Sequence, residues 1–87
     1  VFTQGETHEV VIRANSRRAK YLRALPLHHS QREEIHDSFS DFHYRLRLTP
    51  DLVQELLSLG SEVKVMAPPE LRVMVTNALR LALEQYE

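Results

Sequence analysis

The sequence has no cysteine, only two glycines and no long apolar run. Without cysteine there is no disulfide framework and no thiolate site, a lack that fits a reducing cytoplasm. With Gly5 and Gly60 as its only glycines it holds no glycine-rich phosphate loop. No stretch approaches the roughly 20 apolar residues of a membrane span, and no signal-peptide pattern opens the chain. Charge of either sign is not in excess: 11 basic and 12 acidic residues leave a net charge of −1. Bulk attraction to nucleic acid or to an anionic membrane is therefore not expected. The 87 residues allow one domain. The chain opens on Val1 rather than Met, which reads as a piece of a longer protein.

What is present is a regular succession of strand and helix patterns. Residues 1–7 are polar and read as a linker remnant. Over 8–14 the pattern alternates, with Val10, Ile12 and Ala14 on one face, so a strand is expected. Asn15-Ser16 is a helix-start signal, and a helix over 17–25 follows with Ala19, Leu22 and Leu25 in its apolar stripe and Tyr21 beside them. Pro26 restricts Leu25 and stops that helix. A weak strand, 31–37, has Ile35 as its one strong apolar residue and suits a sheet edge. A turn over 37–41 leads to the clearest strand, 42–49, with Phe42, Tyr44, Leu46 and Leu48 inward and His43, Arg45 and Arg47 outward.

Thr49-Pro50-Asp51 opens a second helix and Gly60 closes it. A strand over 61–67 turns Val63 and Val65 inward, and Pro68-Pro69-Glu70 starts a third helix over 70–86. The order is β-α-β-β-α-β-α, an α+β chain. Its first six elements are the ferredoxin-like β-α-β-β-α-β sandwich, with an additional C-terminal helix. The first and third strands are expected at the centre of the sheet. A core of Val10, Ile12, Leu22, Tyr44, Leu46, Leu56, Val63 and Val65 follows from these periodicities.

The least generic run is Leu25-Pro26-Leu27-His28-His29-Ser30-Gln31. Leu27 can plug back into the core while four polar side chains follow it. Such a loop has an ordinary reading, side chains satisfying backbone groups at a helix end, and a functional one, a binding element. Scattered histidines show no H-E-x-x-H or comparable ligand spacing, so no metal or other cofactor is expected. His36 and His43 could be cross-strand neighbours on the hairpin. Ser30 beside His29 lacks a nucleophile elbow, and the carboxylates form no isolated apolar pair. The domain is expected to be non-enzymatic. The outward sheet face would carry Arg13, Arg32, Arg45, Arg47 and Lys64, but Glu9 and Glu34 share it while Phe42 and Tyr44 point inward. A solvated or partner-facing surface fits that mixture better than an RNA platform. In the third helix Val73, Met74 and Leu81 widen the apolar stripe beyond what one small sheet needs, which points to a two-fold contact through Met74 and Leu81.

The run Tyr21-Leu22-Arg23-Ala24-Leu25-Pro26-Leu27-His28-His29-Ser30-Gln31 resembles the hallmark of the C-terminal extension, or WCX, domain of WYL-domain transcriptional regulators. The run Leu56-Leu57-Ser58-Leu59-Gly60-Ser61-Glu62-Val63-Lys64-Val65-Met66-Ala67-Pro68-Pro69-Glu70-Leu71-Arg72 resembles its second half. The departure is Ser38-Phe39-Ser40 in the hairpin turn, where the pattern has a glycine. The resemblance implies that residues 8–87 are a WCX-like regulatory domain of a bacterial, cytoplasmic regulator. There it would contribute to dimerisation and meet the WYL domain of the same chain, with DNA held by an N-terminal winged helix that this chain does not carry. An alternative is effector binding, of a small molecule or single-stranded nucleic acid, through the 26–31 loop (His28, His29, Ser30, Gln31) and the arginine face (Arg45, Arg47).

Overall fold

The alternating pattern over the first strand becomes a central strand of the sheet. In the computed structural model, which describes residues 6–87, the elements run β1 (His8–Asn15), α1 (Ser16–Ala24), β2 (Arg32–Ile35), β3 (Phe39–Leu46), α2 (Pro50–Ser58), a 3-10 turn (Gly60–Glu62), β4 (Val63–Ala67) and α3 (Pro69–Glu84). Residues 1–5, most of the expected linker remnant, lie outside the described residues. The strands form one antiparallel sheet in the order β2-β3-β1-β4, so β1 and β3 are central as expected.

Helix boundaries follow from local chemistry. Asn15 caps α1 by accepting from the Arg18 N–H at 2.8 Å, and Thr49 caps α2 by accepting from the Leu52 N–H at 3.1 Å. Pro50 occupies the first turn of α2, where a missing N–H costs nothing. Gly60 follows α2 with φ +67°, a left-handed conformation that side-chain-bearing residues rarely adopt. The hairpin between β2 and β3 is tighter than the expected 37–41 turn. The His36 N–H donates to the Phe39 carbonyl at 2.8 Å, so β3 begins at Phe39. Among the described residues no non-glycine residue has a positive φ. The turn therefore does not require the glycine that the resemblance implies there.

Val10, Ile12, Ala14, Phe42, Tyr44 and Val65 bury one sheet face against Ala19 and Leu22 of α1 and Val53 and Leu56 of α2. Leu71 of α3 joins them, fully enclosed. Leu46 and Val63, expected in the core, are only half-buried at its margin. Leu25 departs from the expected α1 stripe and is 77% exposed. The pre-proline position gives it φ −129° and ψ 81°, which swings it off the helix surface. Tyr21 is exposed too, beneath the Arg18 guanidinium. Ile35 lies exposed on the edge strand β2. In α3 Leu71, Met74, Val75 and Ala78 meet the core, while Val73, Leu79, Leu81 and Leu83, and Tyr86 beyond the helix end, are exposed. Among the described residues no helix is long and apolar enough to cross a membrane.

Phe42 fills the middle of β3 with no exposure. Phe42→Ala is expected to cost about 3–5 kcal/mol in urea denaturation. Leu46→Ala, at the half-buried margin, is expected to cost less. Equal losses at the two positions would show that the core extends evenly along β3.

Candidate functional site

The loop after α1 is built around one amide. Gln31 Nε2 donates to the Leu22 carbonyl at 2.9 Å, near the end of α1. Its Oε1 accepts from the Tyr44 hydroxyl at 2.6 Å and from the Leu27 N–H at 3.3 Å. Tyr44 is almost wholly enclosed, and burial pushes its hydroxyl pKa up, so the phenol stays protonated and donates. Leu27, expected as a plug, is half-buried against the core. The loop closes on itself where the Gln31 N–H donates to the His28 carbonyl at 3.1 Å. Ser30 Oγ accepts the Arg45 N–H at 3.0 Å and lies 2.8 Å from His28 Nδ1. Ser30 and Gln31 thus hold the loop against β3, and His28 and His29 stand at its surface.

Beside the loop lies an open hollow of about 580 Å³. His28 and His29 of the loop, Arg45 and Arg47 at the end of β3, and Asp51 and Glu55 of α2 line it. Leu27, Leu46 and Leu52 supply its apolar surface, and Thr7 and Thr49 complete it. The sequence-predicted residues therefore divide. His28, His29, Arg45 and Arg47 come together at one hollow, whereas Ser30 and Gln31 do not line it and act as its supports. Asp51 and Glu55 were not singled out from the sequence, since charged residues in the first turns of a helix ordinarily serve the helix dipole. Only the return of α2 past the end of β3 brings them to the same hollow.

The outward face of the sheet is a lattice of paired charges. Arg13 grips Asp41 through two hydrogen bonds, at 2.8 and 3.1 Å, and lies over the Phe39 ring. Arg32 reaches Glu9 at 3.3 Å, and His43 sits between Glu9 and Glu34. His36 and His43 are not cross-strand neighbours: His43 opposes Arg32, and His36 stacks on Phe39 past the end of β2. Glu34, His36 and Asp41 offer ligand atoms within 4.8 Å of one another. Arg13 already occupies both oxygens of Asp41, so a cation there would compete with a bidentate ion pair. On the opposite face Arg23 of α1 pairs with Glu33 of β2, which also accepts from Ser40 Oγ at 2.8 Å. Arg18 joins α1 to Glu62 at 2.9 Å. The guanidinium of Arg13 holds the Asp41 carboxyl below its ordinary range, and Arg23 does the same for Glu33. Arg45 and Arg47 differ: among the described residues neither forms an ion pair.

The family model of the WCX domain matches residues 6–83, nearly the whole chain, and the chain belongs to that family. Comparison with curated proteins finds no match.

Two outcomes check this construction. Gln31→Ala leaves the Tyr44 hydroxyl and the Leu22 carbonyl without their partner, and a loss of about 1–3 kcal/mol is expected in chemical denaturation. Unchanged stability would show that water replaces the amide. The acid limb tests the ion pairs. Glu33 and Asp41 have folded pKa values lowered by Arg23 and Arg13. Their contribution is fully present above the unfolded carboxylate values of about 4 and is lost as pH falls through the lowered folded values. The urea midpoint should hold from pH 7 to about 5 and drop towards pH 3, with a shallower drop in Asp41→Asn and Glu33→Gln. An equal drop in the variants would assign acid sensitivity to other groups.

Proposed function

We propose that this WCX domain is the non-catalytic C-terminal regulatory and dimerisation module of a bacterial WYL-family helix-turn-helix transcriptional regulator, working in the cytoplasm. In that reading DNA is bound by the N-terminal winged helix of the full regulator, and the neighbouring WYL domain is an intrachain partner. The sandwich is read as ferredoxin-like, supported by the β-α-β-β-α-β order and the central position of β1 and β3. α3 is the added element.

The observation that carries dimerisation is the exposed apolar side chains of α3. Val73, Leu79, Leu81 and Leu83 leave more than half their surface exposed, and Tyr86 is 89% exposed beyond the helix end. Exposed apolar surface of that kind is disfavoured on a monomer, and two-fold pairing is the commonest way to cover it. Paired half-sites on DNA call for a regulator with matching two-fold symmetry. Of the two residues expected at the contact, Leu81 stands in the open, while Met74 packs partly on this chain's own core. Leu81→Glu is therefore the cleaner probe.

A second reading, effector binding, is favoured by the meeting of His28, His29, Arg45 and Arg47 at one hollow. The two readings rest on different residues and can hold together.

Sedimentation across a concentration series tests the first reading. A dimer is expected, dissociated by Leu81→Glu with the circular dichroism of a folded monomer retained. A strictly monomeric chain at high concentration would remove self-association and assign the α3 patch to the WYL domain.

A further inference from the structure

The chemistry of the hollow is set by Ser30. A backbone N–H can only donate, and that of Ser30 reaches His28 Nδ1 at 3.2 Å. Nδ1 is therefore an acceptor, and the neutral ring carries its proton on Nε2. Ser30 Oγ already accepts from the Arg45 N–H, so its own proton is free to point at Nδ1. The His-x-Ser spacing thus makes His28 an Nε2–H donor in the wall of the hollow, with the His29 ring braced against it at 4.1 Å between centroids.

Arg45 and Arg47 also line the hollow, and no carboxylate of the described residues engages either guanidinium. His28, Arg45 and Arg47 offer only donors, and their natural complement is an acceptor-only group. Leu27, Leu46 and Leu52 offer apolar surface beside them, and Asp51 and Glu55 bring negative charge from α2. The volume of about 580 Å³ suits a small molecule.

We propose that this hollow binds a small molecule with a single carboxylate and a compact apolar body. The carboxylate lies on Arg45, Arg47 and His28, and the body lies on the three leucines. The proposal rests on the effector-binding reading and gives it a ligand class. Charge selects the carboxylate. A phosphate ester carries about −1.5 to −2 at neutral pH and meets stronger repulsion from Asp51 and Glu55 than a monoanion does. A carboxylate also matches the guanidinium fork with two parallel hydrogen bonds.

An amide NMR titration of this chain with hexanoate, hexyl phosphate and hexylamine tests it. Saturable shifts confined to residues 28–30 and 45–47 and the first turns of α2 are expected with hexanoate. Weaker binding is expected with hexyl phosphate and none with hexylamine. Arg47 is exposed and unpaired, so Arg47→Ala should fold and should weaken hexanoate by roughly tenfold. Ser30→Ala keeps the backbone N–H that makes Nδ1 an acceptor but removes the hydroxyl that braces the ring and the Arg45 N–H. It should therefore weaken hexanoate while the imidazole nitrogen spectrum of His28 keeps its unprotonated Nδ1 signature. Hexylamine binding as well as hexanoate, hexyl phosphate binding more tightly, or unchanged affinity in Arg47→Ala would each overturn the proposal. Shifts at these residues with a short single-stranded oligonucleotide but not with hexanoate would overturn it and leave the effector-binding reading standing. Absence of shifts with every probe would count against both.

Discussion

The amide of Gln31 is the constraint on which the working end of this domain depends. One side chain ties the last turn of α1, the loop and the centre of β3, through the Leu22 carbonyl, the Leu27 N–H and the Tyr44 hydroxyl. Tyr44 could not be enclosed at the sheet centre without a partner for its hydroxyl, because an unsatisfied buried donor costs about 1–3 kcal/mol. The amide meets that need from a loop whose entry Pro26 has already restricted. Among the described residues no buried side-chain nitrogen or oxygen lacks a partner. With the loop held at both ends, Ser30 falls beneath the Arg45 N–H, and His28 and His29 are left at the surface with a defined ring orientation.

The two faces of the sheet use charge differently from the hollow. On the outer face Arg13, Asp41, Arg32, Glu9, Glu34 and His43 answer one another. A phosphate backbone laid on Arg13 or Arg32 would first have to break these pairs. At the end of β3 the pattern fails. Arg45 lies opposite Glu9 in the β1–β3 register, yet among the described residues neither it nor Arg47 forms an ion pair, and α2 brings Asp51 and Glu55 to the same hollow without pairing with them. Unpaired charges of both signs around an apolar surface are where a polar ligand gains most from replacing water.

Element order, the central position of β1 and β3, the Asn15 and Thr49 caps and the glycine at the end of α2 were all legible in the sequence. Each rests on local rules: period-two alternation, side-chain caps and a left-handed glycine. The errors lie where a neighbour overrides the local pattern. Leu25 belongs to the α1 stripe by spacing, yet proline geometry turns it outward. Leu46 and Val63 have the right parity but sit at the core's margin, where the covering helices end. Met74 looks surplus on a helical wheel, but α3 lies close enough to α2 and β4 for it to pack partly on the core.

The sequence by itself determined the family and the α+β order and singled out the 26–31 loop, because these reside in motif spacing and hydrophobic period. Only the tertiary structure decided how that loop works. Ser30 and Gln31 read as candidate ligands in one dimension, since a polar side chain in a loop carries no label for what it bonds. Folding brings Tyr44 and the Arg45 N–H to them and makes them supports. It also gathers His28 and His29 with Arg45, Arg47, Asp51 and Glu55, residues separated in sequence by a hairpin and a helix start. Their convergence is set by the register of β2 on β3 and by the return of α2 past the strand end, neither of which a local pattern contains.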